Sequence, residues 1–162
     1  MKKTLLLATF AALACAAPAF AGAAPHAGDA APALSLPKTT GGTLTLASLK
    51  GKPVYLNFFA SWCGPCNEEA PSIAALQRKY KAKGLTVIGV DSQEDVSKAK
   101  GFIAKYKLPY AVVTDGDGAE GRAYGVLALP VHVFIDRSGK VSTYRLGEMN
   151  PGEIEAAIKK TL

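Results

Sequence analysis

Two cysteines stand two residues apart where an apolar run gives way to a helical pattern, and this junction limits the folds open to the chain. Val54-Tyr55-Leu56-Asn57-Phe58-Phe59 is almost entirely apolar and reads as a buried strand. Trp62-Cys63-Gly64-Pro65-Cys66 follows it. Residues 68–80 then carry Ile73, Leu76 and Tyr80 on one face, at spacings of three and four. A strand that delivers the chain straight to a helix N-terminus is the repeating unit of α/β folds. It also sets the cysteine pair among unpaired backbone N–H groups at the positive end of the helix dipole, which favours a thiolate.

The alternation continues along the chain. Residues 85–90 form a continuous apolar strand, and Val96, Ala99, Ile103 and Tyr106 repeat at helical spacing until Leu108-Pro109. A short strand at 110–114, a short helix at 120–124 and a strand at 131–135 come next. Asp136-Arg137-Ser138-Gly139 turns the chain into a strand at 140–146. Asn150 caps the last helix, with Pro151 in its first position, Glu153 reaching back, and Ile154 and Ile158 toward the core. Upstream, residues 33–36 and 43–46 read as two short strands about a turn, and 48–53 as a loop. Asp115-Gly116-Asp117-Gly118 reads as a turn, since the further ligands of a calcium loop are missing. The order predicts a three-layer α/β/α sandwich with a mixed central sheet and an N-terminal β-hairpin.

The chain of 162 residues is 49% hydrophobic and 20% charged, which suits one domain with a real core. Met1-Lys2-Lys3 followed by a short apolar run is the pattern of a signal peptide, with Ala19-Phe20-Ala21 as the cleavage site. A cut after Ala24 is the alternative, and Cys15 fits a lipidation site poorly. The expected organisation is a signal peptide over 1–21, a flexible lead-in over 22–32 and a folded domain over 33–162. Removing Lys2 and Lys3 leaves 17 basic residues against 13 acidic ones, a mild +4. The densest basic run, Arg78 to Lys83, suits the C-terminal end of a helix, and no nucleic-acid partner is expected.

After cleavage only Cys63 and Cys66 remain. Haem attachment needs a histidine after the second cysteine, and Asn67 stands there. Zinc needs four ligands, and beyond the two cysteines the mature chain offers only His26 and His132. A purely structural disulfide closing so short a ring would stabilise little. The reading that remains is a redox pair. Cys63, at or just before the first helical turn, is the expected nucleophile, with a pKa below the free value of about 8.5. Cys66, one turn further in and less exposed, is the expected resolving thiol. Gly64 lets a partner's backbone approach, and Pro65 stiffens the turn.

Trp62-Cys63-Gly64-Pro65-Cys66 is identical to the thioredoxin active-site motif. The segments from Gly51 to Pro71 and from Tyr124 to Lys140 resemble the exported TlpA/ResA/CcmG group of thioredoxin-like proteins, and the resemblance runs from Gly28 to Leu162. It implies a thioredoxin fold and reduction of protein disulfides outside the cytoplasm, notably in apocytochrome c. It implies electrons drawn from a membrane thiol transporter, no cofactor and no metal; a monomer is the expectation. Pro130 matches the family's cis-proline, with a trans edge-strand proline as the bland alternative. Leu129 would then hold substrate backbone in strand-like fashion. Trp62 would pack over the site and shape the docking surface, and Pro71 matches the helix-kinking proline.

Glu69 matches a family glutamate, though a solvated first-turn acid would look the same. Asn57 stands where cytoplasmic thioredoxins keep a buried aspartate that accepts the proton of the second cysteine. Asparagine cannot do this, so the base for Cys66 is unassigned. Val131 stands where the family usually has Thr or Glu, and Asn67 where it often has a basic residue. His132, on an alternating strand, reads as a packed or surface histidine facing away. Two rival readings are a peroxiredoxin-type peroxidase, whose Thr-x-x-Cys context is absent, and a Cu(I)-binding module, for which no Met-rich or His-rich tract is present.

Overall fold

The computed structural model of the chain describes residues 22–162. The expected signal peptide over 1–21, and Cys15 within it, lie outside the described residues. Among the described residues no helix is long and apolar enough to cross a membrane.

Among the described residues, seven strands and four α-helices follow in chain order. These are β1 (Ser35–Pro37), β2 (Thr43–Thr45), β3 (Val54–Phe59), α1 (Gly64–Tyr80), β4 (Thr86–Ser92), α2 (Val96–Tyr106), β5 (Ala111–Asp115), α3 (Ala119–Ala123), β6 (Val131–Ile135), β7 (Val141–Leu146) and α4 (Pro151–Thr161). β1 and β2 form the expected hairpin. The other five strands form one mixed sheet in the order β5-β4-β3-β6-β7, with β3, β4 and β5 parallel and β6 and β7 antiparallel to their neighbours. This is the thioredoxin-like α/β architecture.

The helix faces follow from connection handedness. Steps from β3 to β4 and from β4 to β5 run in one direction, so right-handed crossovers put α1 and α2 on one face. The rule does not reach the antiparallel β6, and there the packing decides: Tyr124, at the end of α3, lies on the other face with Leu56 and Phe58. The core divides accordingly. Tyr55, Val87 and Phe134 pack under Ile73, Leu76 and Tyr80 of α1 and Ile154 and Ile158 of α4. Phe59 and Val112 pack under Ala70 and Ala74 of α1 and Ala99 and Phe102 of α2. Val54, Leu56, Phe58, Ile88 and Val90 point the opposite way, to Leu36 of the hairpin and Tyr124 after α3. β3 is buried on both faces, which is why its sequence is a run rather than an alternation.

Some expectations shift. Val96 is exposed, and Phe102 takes its place on the buried face of α2. Leu46–Leu49 is a 3-10 helix capped by the Thr45 side chain, not strand and loop. The lead-in is tied down. The N–H groups of Gly28 and Ala31 donate to the carbonyls of Val141 and Gly139, and Ala30 bridges Lys140 beside β7. At α4 the cap is the predicted one: Asn150 accepts from the Gly152 and Glu153 N–H groups, and Glu153 accepts from the Asn150 N–H. In the 115–118 turn Asp115 accepts from the Glu120 and Gly121 N–H groups, as the turn reading requires.

Candidate active site

β3 is the strand at which the order of the sheet reverses, with β4 on one side and β6 on the other. Open α/β sheets place their sites beyond the carboxyl end of such a strand. Cys63 stands four residues beyond Phe59, as the N-cap of α1. Its Sγ accepts the Cys66 N–H at 3.3 Å and is joined to Cys66 in a disulfide, with 5.3 Å between the two Cα atoms. Gly64 and Pro65 form the exposed first turn of the helix. The expected difference in exposure between the sulfurs is absent: Cys63 is 4% and Cys66 3% exposed. Both lie in the apolar cluster with Phe59, Ala70 and Phe102.

Antiparallel pairing brings in the second half of the site. β6 runs against β3 with Val131 opposite Phe58, so the residues entering β6 lie beside the residues leaving β3. The Leu129–Pro130 peptide bond is cis. Among the described residues, the N–H and C=O of Leu129 enter no backbone hydrogen bond, while the Pro130 carbonyl accepts the Gly147 N–H at 2.8 Å. Trp62 does not pack down over the cysteines; it stands 72% exposed. With Val126, Leu127, Leu129, Ser92 and Gln93 it lines a cleft of about 350 Å3. Leu127, which sequence reasoning did not single out, is 90% exposed on the wall of this cleft.

Beneath α1 lies a buried polar chain. Glu69 is not a solvated acid: it is 4% exposed, and its Oε1 accepts the Met149 N–H at 2.6 Å. His132 does not face away; its Nε2 lies 3.5 Å from Glu69 Oε2 and its Nδ1 2.7 Å from the Tyr55 hydroxyl. Burial, then the charge of Glu69, holds the Tyr55 phenol well above its ordinary range, so Tyr55 keeps its proton. Tyr55 and His132 meet because the β3–β6 register sets them on facing strands, two residues out of register and on one face. Asn57 is buried on that face, with an Nδ2 that meets no protein acceptor. α1 runs unbroken across Pro71.

Asn67 turns out to be a clamp. Its Nδ2 donates to the carbonyls of Ser61 and Cys63 at 2.9 and 2.7 Å. Its Oδ1 accepts from Lys105 Nζ at 3.0 Å and from the Tyr106 hydroxyl at 2.7 Å. The basic group missing from position 67 is thus supplied by the end of α2.

Comparison with known proteins agrees with this geometry. A family model described as Redoxin matches residues 26–162. The thiol-disulfide oxidoreductase ResA of Bacillus thuringiensis subsp. konkukian (strain 97-27) is 37% identical over 133 residues, 82% of this chain and 77% of the relative. ResA of Bacillus subtilis (strain 168) is 35% identical over 127 residues, 78% of this chain and 71% of the relative. Among solved structures, a DsbE candidate of Chlorobium tepidum superposes with a TM-score of 0.76 at 37% identity, covering 83% of this chain and 99% of that one. A secreted Mycobacterium tuberculosis disulfide oxidoreductase homologous to E. coli DsbE gives a TM-score of 0.69 at 30% identity, over 78% of this chain and 94% of that one.

Proposed function

Because the chain belongs to the Redoxin family, as a thiol-disulfide oxidoreductase of the ResA/DsbE-like kind, we propose a direction and an order of events for its dithiol. The protein reduces disulfides of other proteins outside the cytoplasm. Cys63 is the attacking sulfur and Cys66 the resolving one. The observation that carries this is the Cys63 Sγ at the N-cap of α1, where it accepts the Cys66 N–H. That position favours a thiolate through a hydrogen bond and the helix dipole.

The Cys63 thiolate attacks one sulfur of the substrate disulfide, and the other sulfur leaves as a thiolate that takes up a proton. The Cys66 thiolate then attacks Cys63 Sγ. The substrate leaves with both sulfurs reduced, and Cys63–Cys66 keeps the disulfide. Two electrons pass to the substrate, so each turnover needs a thiol donor; a membrane thiol transporter fits an exported protein. Trp62, Gly64, Pro65, Leu129 and Pro130 form the docking edge. The unpaired N–H and C=O of Leu129 support strand-like capture of the substrate backbone. Asn57, Glu69 and Pro71 support α1 from below and within. An apocytochrome c is the substrate class the family resemblance favours, and the basic, apolar start of the chain supports export through a cleaved signal peptide.

The test is the reduction potential of Cys63–Cys66 in the mature protein, read by equilibration with dithiothreitol or glutathione buffers. A reductase is expected at about −250 mV or lower, close to thioredoxin at about −270 mV. A value near about −120 mV would make the protein an oxidant and reverse the direction.

A further inference from the structure

The turn that delivers the nucleophile is closed by one backbone bond, from the Cys63 N–H to the Ala60 carbonyl at 3.1 Å. Its two central residues are Ser61 and Trp62. Trp62 stands exposed, so the turn is fixed through Ser61. All three polar groups of Ser61 are engaged. Its N–H donates to Glu94 Oε2 at 2.5 Å and its hydroxyl to Glu94 Oε1 at 2.7 Å. Its carbonyl accepts from Asn67 Nδ2 at 2.9 Å on the other side. Hydrogen bonds to a carboxylate are shorter and stronger than neutral ones.

Glu94 lies in the bend between β4 and α2, three residues after Asp91. Asp91 is sealed from solvent, and neither of its carboxyl oxygens meets a donor. Glu94 is half-buried, and both of its oxygens are taken by Ser61. The residue before it sets the bend. Gln93 holds a left-handed φ of 56°, and its N–H donates to the Asp115 carbonyl at 3.0 Å. A glutamine seldom adopts that conformation, and residues held so cluster at functional sites. The far end of α2 grips the same turn. Lys105 and Tyr106, its last two residues, hold Asn67 Oδ1, and Asn67 Nδ2 holds the Ser61 and Cys63 carbonyls. Ser61 is thus the point on which contacts from both ends of α2 converge.

We propose that Glu94 is a positioning residue for thiol-disulfide exchange: by holding the N–H and hydroxyl of Ser61 against the Asn67 bond to its carbonyl, it fixes where the turn presents the Cys63 sulfur. Attack on a disulfide needs the three sulfurs close to one line, and a turn free to swing meets that geometry in fewer encounters. Glu94 acts through Ser61. Its effect on rate rests on the oxidoreductase reading, not on the direction of electron flow.

The experiment is the pH profile of the rate at which the reduced protein attacks a disulfide, run with a protein disulfide and with a small aromatic disulfide. Rates are compared on the high-pH plateau, where Cys63 is fully a thiolate and a change in its pKa no longer alters that fraction. Glu94→Ala strips both Ser61 donors of their acceptor. It should lower the plateau about tenfold for both substrates, the equivalent of one hydrogen bond to a charged group. Glu94→Gln removes the charge but keeps an acceptor for the Ser61 N–H, and should stay within about threefold of the native rate. Ser61→Ala loses only the hydroxyl and should slow the reaction about threefold. Made in the Glu94→Ala background it should change nothing further, because the hydroxyl has already lost its partner.

A native plateau in Glu94→Ala, equal losses in Glu94→Ala and Glu94→Gln, or additive losses for the double variant would overturn the proposal. A loss confined to the protein disulfide would place Glu94 in docking and overturn it as well. Should Glu94→Ala fail to fold, Ser61→Ala decides, and a native plateau there would sink the idea. None of these rates is a reduction potential, so either idea can fail without the other.

Discussion

Glu69 Oε2 lies 3.5 Å from His132 Nε2, with both side chains sealed from solvent. The contact joins the first turns of α1 to β6, two residues past the cis-proline, so it ties the two halves of the site together. Glu69→Ala would leave the Met149 N–H unpaired in the interior and take away the carboxyl that lies beside the buried His132. A loss of about 3 kcal/mol is expected in denaturant unfolding of the oxidised protein. Glu69→Gln keeps an acceptor for Met149 and should lose about 1 kcal/mol. Equal losses for the two variants would show that packing, not the polar chain, is what matters there.

The Asp91 proton makes stability depend on pH. Unfolded, Asp91 titrates near the ordinary value of about 3.9; folded, it titrates at about 8. A folded-state pKa above the unfolded one gives stability that is fully present below about pH 4 and is lost as pH rises toward about 8, by at most about 1.4 kcal/mol per pH unit. Asp91→Asn removes that term. Its melting temperature relative to the native protein should therefore climb across this window and level off above it. A gap that stays constant with pH would show that Asp91 is not protonated in the fold.

The Asn67 clamp predicts a redox effect that loss of packing would not give. Asn67→Ala frees the Ser61 and Cys63 carbonyls and releases Lys105 and Tyr106. Lys105→Ala removes only the exposed cation. A cation near a helix N-terminus favours a thiolate there, so Lys105→Ala should raise the Cys63 pKa. Asn67→Ala should move the reduction potential by roughly 15–30 mV, and Asn67→Gln should restore part of it. The measurements are the pH profile of Cys63 alkylation and the dithiol equilibrium. A potential that stays put in Asn67→Ala would make the clamp a packing feature.

The order of cysteine attack has its own test. In Cys66→Ser no resolving sulfur is present, so the substrate should remain bound to Cys63 as a mixed disulfide visible by mass spectrometry. Cys63→Ser should trap nothing. Trapping through Cys66 in Cys63→Ser would reverse the assigned roles.

The frame of the site was legible in the sequence because it rests on local signals. The apolar run of β3, the CxxC at a helix start, Pro130 ahead of an apolar strand and the Asn150 cap each declare themselves within a few residues. What escaped depends on contacts distant in sequence. Glu69 and His132 are 63 positions apart and read separately as surface or filler; only the β3–β6 register puts them under one helix. Asn67 looked like a lost basic residue, because nothing local says that Lys105 arrives from α2. Asp91 follows the apolar run of residues 85–90, and nothing local says that its buried carboxyl oxygens meet no donor. Val96 was misplaced for a related reason: spacing gives a helix face, but the contact with Phe59 that decides which residues fill it is tertiary.

Leu127 offers the cleanest separation of docking from chemistry. It is 90% exposed, beside Trp62 at 72%, on a cleft that reaches the unpaired backbone of Leu129. Isolated exposed apolar side chains are ordinary, but two large ones on one cleft beside a reactive disulfide form a contact patch. A protein substrate held at Leu129 would cover Leu127, whereas a small disulfide would reach Cys63 without touching it. Burying a leucine side chain at an interface contributes about 1.5–3 kcal/mol, of which ordering costs consume a part. Leu127→Ser should therefore raise KM for a protein disulfide about five- to tenfold with kcat held, and leave the rate with a small aromatic disulfide unchanged. Equal losses for both substrates would place Leu127 in the support of the cysteines rather than in docking.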